Sequence, residues 1–230
     1  MRLDKYMVET FFKTRSQAQD LIRQGKVSVN NRIVTKTGYE LKGEEVQIIK
    51  DMDYVSRGGL KLKDAIDSFK LNVKDAIMAD IGSSTGGFTD CALKEGVSHV
   101  YAYDVGTDQM DQSLRSNPKV SLFEQTNILD VTLNPNINLF TVDVSFTSVK
   151  PILLHLMNTS GLYVVLVKPQ FEVGPKHLKN GIVIDLKKQK EALEGIIEYA
   201  NDLGFKTIGS KKSDLKGKMG NQEYLLILKK

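Results

Sequence analysis

The stretch Met78-Ala79-Asp80-Ile81-Gly82-Ser83-Ser84-Thr85-Gly86-Gly87-Phe88-Thr89-Asp90 constrains this chain of 230 residues more than any other. Ile77 to Ile81 is short and apolar enough for a buried parallel strand. Gly82, Gly86 and Gly87 then allow a tight turn and a close backbone approach to a ligand. From Thr85 onward a helix can begin with its first N–H groups free. Tyr101-Ala102-Tyr103-Asp104 follows as a second apolar strand ending in an acid, 22 residues after Gly82, where doubly wound folds place a carboxylate for ribose hydroxyls. Gly82-Ser83-Ser84 lacks the second glycine of the dinucleotide fingerprint, so a nicotinamide cofactor is disfavoured.

Val120 to Phe123, Leu139 to Val144, Leu162 to Val167, Phe205 to Ile208 and Tyr224 to Leu228 read as five further strands, and Leu186 to Leu203 as a helix. Alternating strands and helices call for a mostly parallel sheet covered on both faces. Ligands bind beyond the carboxyl ends of such strands, which singles out Asp80, Asp104, Asn127, Asp143 and Lys168. Upstream, Ser56 is a candidate cap for a helix whose apolar side is Leu62, Ile66 and Phe69. Gly58 and Gly59 at that helix start cost on the order of 1 kcal/mol each relative to alanine, so something should come close to the backbone there, with Lys61 just behind. Asp90 and Asp108 read as helix-surface acids, and Cys91 as a small packed hydrophobe.

The first fifty residues differ in kind. They hold 10 Lys plus Arg against 6 Asp plus Glu, while the other 180 carry 22 of each, so the whole excess of +4 is local. That is the pattern of a polyanion-binding module, since Lys and Arg contacts to phosphate supply most of the affinity for nucleic acid. Leu3, Tyr6, Met7, Phe11 and Phe12 fall near helical spacing, and a second helix runs from Ser16, its cap, through Gln24 to a stop at Gly25. Val27 and Val29 alternate with polar residues, Asn30-Asn31 makes a turn, and Ile33-Val34 and Val46 to Ile49 supply further short strands. The join lies near Lys50 to Asp53, and a connection this short predicts close coupling of the two parts.

Other classes are disfavoured. Met1 to Lys5 has no apolar run behind it, so no secretory signal is expected. The longest uninterrupted apolar run is Leu162 to Val167, far short of a membrane span. One cysteine excludes disulfides, and His99, His155 and His177 are too scattered for a metal site. A cytosolic protein without membrane contact is expected.

Several motifs also carry a resemblance. Thr14-Arg15-Ser16-Gln17-Ala18 and Ile22-Arg23-Gln24-Gly25-Lys26-Val27-Ser28-Val29-Asn30 resemble the S4-type RNA-binding domain over residues 1 to about 48, which implies Arg2, Lys5, Arg15, Arg23 and Lys26 as cations on RNA backbone. The Asp80 to Gly86 turn resembles the Asp-x-Gly-x-x-x-Gly turn of class I methyltransferases, in which S-adenosylmethionine lies across the glycines. That implies cofactor contacts from Ser56, Asp80, Gly82, Ser83, Ser84, Thr85, Gly86, Gly87, Phe88, Asp104, Asn127 and Asp143. Methyltransferase sheets end in an antiparallel strand, which brings its first residue, here Glu223, to the ligand edge. Lys61, Asp143, Lys168 and Glu223 then resemble the Lys-Asp-Lys-Glu tetrad of FtsJ-type ribose 2'-O-methyltransferases.

Tyr54-Val55-Ser56-Arg57-Gly58-Gly59, Asp143-Val144-Ser145-Phe146, Val167-Lys168-Pro169-Gln170-Phe171-Glu172 and Asn221-Gln222-Glu223 extend the resemblance to the TlyA family across nearly the whole chain. It implies an α/β protein: a small α+β S4-type domain at 1–50, a linker at 51–55, and a class I (Rossmann-like) domain at 56–230 with a seven-stranded mostly parallel sheet. The implied activity is S-adenosylmethionine-dependent 2'-O-methylation of a cytidine in ribosomal RNA, leaning to the large subunit and extending to 16S. Arg57, Lys211 and Lys212 are further candidates for RNA contact. The competing readings are an RNA-binding protein without methyl transfer, and the haemolysin of the family label.

Overall fold

A computed structural model describes residues 1–230 apart from 12–14, 24, 31, 49–53 and 218, and apart from the side chains of 16, 17 and 20. The chain divides into two units, Met1–Asp53 and Tyr54–Lys230.

In the first unit, helices α1 (Leu3–Thr10) and α2 (Arg15–Arg23) precede a three-stranded antiparallel sheet of β1 (Val27–Val29), β2 (Arg32–Ile33) and β3 (Val46–Ile48), in the order β2-β1-β3. Leu3 and Met7, one turn apart on α1, are buried with Ala18, Ile22, Val27, Val29 and Val46. Gly25 ends α2 in a left-handed conformation with φ 72°, its N–H donating to Ile22 O. The helix begins at Arg15, one residue before the Ser16 cap read from the sequence. The Ser16 side chain, Phe12, Thr14, Gln24, Asn31, Ile49 and the join at Lys50 to Asp53 lie outside the described residues.

The second unit runs α3 (Arg57–Phe69), β4 (Ile77–Ile81), α4 (Gly87–Lys94), β5 (His99–Tyr103), α5 (Gln112–Arg115), β6 (Val120–Phe123), β7 (Leu139–Val142), α6 (Lys150–His155), β8 (Leu162–Val167), α7 (Pro169–Glu172), α8 (Leu186–Asp202), β9 (Lys206–Lys212) and β10 (Tyr224–Lys229). Its sheet has seven strands in the order β6-β5-β4-β7-β8-β10-β9. The first five are parallel, and β10 lies antiparallel to both β8 and β9. Successive residues of β8 take opposite faces: Tyr163, Val165 and Val167 join a core with Phe140, Leu153 and Ile196, whereas Val164 and Leu166 join one with Leu62, Phe88 and Leu225. Both faces are thus covered, as continuous apolar strands require.

β9 extends four residues past the predicted Ile208. Its sides alternate between exposed and half-buried, and polar residues on such an outer strand give no apolar run to read. Among the described residues no helix is long and apolar enough to cross a membrane.

Candidate active site

The strand order turns scattered residues into neighbours. Across one sheet edge, β5, β4, β7 and β8 end at Asp104, Gly82, Asp143 and Lys168 in turn. β10 runs the other way, with Tyr224 opposite Val167, so Glu223 starts it at the same edge one step beyond, beside Lys168. The order reverses at β4, whose neighbours β5 and β7 lie on either side, and such switch points open a crevice for ligands.

The four tetrad candidates form two ion pairs at this rim. Lys168 Nζ is 2.6 Å from Asp143 Oδ1 and donates to Ser145 Oγ at 2.9 Å. Asp143 Oδ1 is buried and makes no well-aligned hydrogen bond, so its contact with Lys168 is electrostatic. Lys61, reaching from α3, lies 2.5 Å from Glu223 Oε2, with side-chain exposures of 11% and 4%. Charge so poorly hydrated is tolerable only in pairs.

The glycine turn has two sides. Gly82, at φ +83°, lies where a Cβ would stand 2.7 Å from Asp143 O, which joins the turn to the charged rim. Ser84 (φ 47°) donates its N–H to Asp104 Oδ2 at 2.7 Å, and Gly106 N–H donates to Oδ1 at 2.7 Å, which leaves that half-buried carboxylate spare acceptor capacity. Ser84, Thr85 and Asn127 are exposed, Asn127 also accepting from Leu129 N–H, and the buried Ser83 hydroxyl has no hydrogen-bond partner among the described residues. An open left-handed turn, an orphaned hydroxyl and an acceptor at the next strand end fit a nucleoside-bearing cofactor.

Five other residues assigned to that cofactor make contacts within the protein. Asp80 is fully buried and accepts from Thr89 Oγ1 at 2.6 Å and Thr141 Oγ1 at 2.7 Å, while burial pushes its carboxyl up to about 6. Gly86, at φ +88°, makes room for Leu114, and a Cβ on Gly87 would meet Ser56 Oγ and the Gly59 backbone. Phe88 is 4% exposed in the core. Ser56 stands at the N-cap position of α3 without a capping hydrogen bond, because its hydroxyl faces Gly87. What approaches Gly58 and Gly59 is therefore protein: Phe88 and Gly87 at the first, the Tyr54 ring at the second. Asp90 is also no surface acid, being 7% exposed and accepting from Val55 N–H at 2.8 Å. Cys91 is packed as expected, its thiol pushed up to about 12 by burial.

The RNA candidates divide in a similar way. Arg2 and Arg15 both bind the fully buried Asp4, at 3.0 and 2.9 Å, and Gln19 adds a third donor. Both guanidiniums remain half exposed. Lys5 is exposed near Glu9 at 3.8 Å, Arg23 is exposed at the end of α2, and Lys26 is half-buried. Arg57 opens α3, and Lys212 ends β9 and is exposed. Lys211 is instead held by Asp64 at 2.7 Å and donates to Ser68, so its charge is compensated within the protein.

Two residues at the rim were missed. Phe146 is 92% exposed with φ 66°, beside Phe171 at 5.5 Å between ring centroids. A bulky residue held left-handed and solvent-facing is strained, and its sequence signal is an aromatic among Ser and Thr just past a strand end. Glu172 accepts from Ser148 Oγ at 2.6 Å and Val149 N–H at 3.0 Å.

The FtsJ-like methyltransferase family matches residues 54–230, and the S4 domain matches residues 1–46. The chain is 35% identical to the 16S/23S rRNA (cytidine-2'-O)-methyltransferase TlyA of Mycobacterium tuberculosis, over 94% of this chain and 85% of that one. It is 32% identical to the 23S rRNA (cytidine-2'-O)-methyltransferase TlyA of Campylobacter jejuni, over 97% of each. A solved structure from Streptococcus thermophilus that bears the hemolysin name superposes with a TM-score of 0.77 at 38% identity, covering 100% of this chain and 88% of that one. With an S4 unit ahead of a methyltransferase sheet whose rim carries the Lys-Asp-Lys-Glu set, the chain belongs to the TlyA family of FtsJ-like methyltransferases.

Proposed function

We propose that this protein transfers a methyl group from S-adenosylmethionine to the ribose 2'-oxygen of a cytidine in large-subunit ribosomal RNA, the substrate common to both TlyA relatives' names. Residues 1–50 dock the RNA and residues 56–230 carry the chemistry. The observation that supports this reading best is the two ion pairs, Lys168–Asp143 and Lys61–Glu223, at the rim where β7 and β8 end and β10 begins. When bound, S-adenosylmethionine supplies an electrophilic methyl on a sulfonium. Gly82, Ser83, Ser84, Thr85, Asp104 and Asn127 are the residues that would hold it.

A ribose hydroxyl is a weak nucleophile near neutral pH and must be oriented before it reacts. Lys168 does this: one N–H goes to Ser145 and the amine faces Asp143, which leaves a donor for the ribose oxygen. Asp143 holds the amine in place, and Lys61–Glu223 pins α3 to the start of β10, closing the rim on that side. Phe146 offers a stacking face to an unstacked base. The test is a map of 2'-O-methylation on 23S and 16S rRNA from cells with and without the protein. Loss of one cytidine mark in 23S is expected. Identical maps, with no transfer of labelled methyl by the purified protein, would refute the assignment.

A further inference from the structure

The segment Lys168-Pro169-Gln170-Phe171-Glu172 faces the loop Asp143-Val144-Ser145-Phe146-Thr147-Ser148-Val149 through a series of contacts. Lys168 takes Asp143 and Ser145, the Phe171 ring lies by Phe146, and Glu172 binds both Ser148 Oγ and Val149 N–H. Val149 occupies the N-cap position of α6, where its own side chain cannot cap, so the carboxylate of Glu172 satisfies that N–H from outside the helix. Both oxygens of Glu172 are committed to this loop. A strained conformation such as that of Phe146 persists only where its surroundings over-determine it, and Glu172 is the tie nearest the loop's far end.

We infer that Glu172 is a positioning residue: it holds the loop that carries Asp143, Ser145 and Phe146 in register with Lys168, so that the ribose and its base meet a preset surface. This rests on the methyltransferase reading above. Glu172 itself touches no reacting atom. Ser148 is half-buried and Val149 buried, and removing the Glu172 carboxylate leaves the apolar side of α6, Ile152 and Leu153, untouched.

The experiment compares Glu172→Ala with Glu172→Gln in the full chain. Alanine should lower kcat for rRNA methylation by about tenfold to a hundredfold, the usual range for groups that orient a functional residue. S-adenosylmethionine affinity by calorimetry should stay within about twofold, since positioning acts on the reacting geometry and not on cofactor binding. Glutamine should restore kcat, because its Oε1 can accept from Val149 N–H and its Nε2 can donate to Ser148 Oγ.

A second readout needs no activity. The chain has no tryptophan, so Phe146→Trp places a single reporter on the loop. Added Glu172→Ala should lower its anisotropy and raise its collisional quenching, and added Glu172→Gln should do neither. Wild-type kcat and unchanged anisotropy in Glu172→Ala would overturn the inference, as would a glutamine variant as impaired as alanine. If the unmodified protein methylates no rRNA, the functional reading fails, while the reporter still decides whether Glu172 holds the loop.

Discussion

Glu223 Oε2 and Lys61 Nζ lie 2.5 Å apart although 162 residues separate them in sequence. Their side chains are nearly dehydrated, and each charge is tolerable only because the other is present. This contact ties the first helix of the catalytic unit to the start of its last strand, and it completes the charged rim that begins at Asp143.

Breaking this pair should therefore separate stability from chemistry. Lys61→Ala leaves a dehydrated carboxylate and should destabilise the catalytic unit by about 3 kcal/mol. The double variant Lys61→Met with Glu223→Leu should recover most of that loss in urea melts, yet remain inactive in methyl transfer. Recovered activity in the double variant would remove both residues from the reaction.

Lys168→Ala should lower methyl transfer by at least about a hundredfold, the low end for loss of a group that handles the reacting hydroxyl. Binding of S-adenosylmethionine should be nearly intact, because the glycine turn and Asp104 sit on β4 and β5. Calorimetry beside a tritiated-methyl assay checks both halves, and full activity in the variant would exclude Lys168 from the mechanism.

Asp4 gives the first unit an acid sensitivity. The hydrogen bond from Arg2, followed by those from Gln19 and Arg15, holds its carboxyl well below the usual range despite burial, which pushes the other way. A depressed folded-state value means that the stabilisation is fully present above the unfolded value of about 3.9 and is lost as pH falls below it. Asp4→Asn should flatten that dependence and cost about 1–3 kcal/mol at neutral pH. Melting of the isolated variant and parent between pH 7 and pH 2 gives the comparison.

The adjacent lysines of β9 should behave differently. Lys212→Ala should weaken RNA binding and reduce its salt slope by about one unit, as loss of a phosphate contact does. Lys211→Ala should leave the slope unchanged, because that amine is spent on Asp64 and Ser68. Equal slopes for the two variants would contradict the division.

Much of the site was legible because acids and lysines that follow buried apolar strands are unusual, and Asp143, Lys168 and Asp104 each do so. Glu223 needed the direction of β10, which came from the resemblance and not from its own composition. Asp80 obeys the same strand-end pattern as Asp104 yet points inward, and its partners Thr89 and Thr141 lie 9 and 61 residues away. Gly86 and Gly87 illustrate a second limit: a glycine shows that space is short but not whether ligand or protein fills it, and here Leu114 and Ser56 do. Arg15 and Lys211 likewise read as free cations until their carboxylates are placed by the fold.

The position of β10 between β8 and β9 bears on how the protein matures. β10 is made after both, and among the described residues β9 pairs with β10 alone, so neither the outer strand nor the Glu223 corner is fixed until Tyr224 to Lys229 pairs with Val167 to Leu162. Until then the rim lacks the Glu223 carboxylate, and the Lys61 amine lacks its ion-pair partner.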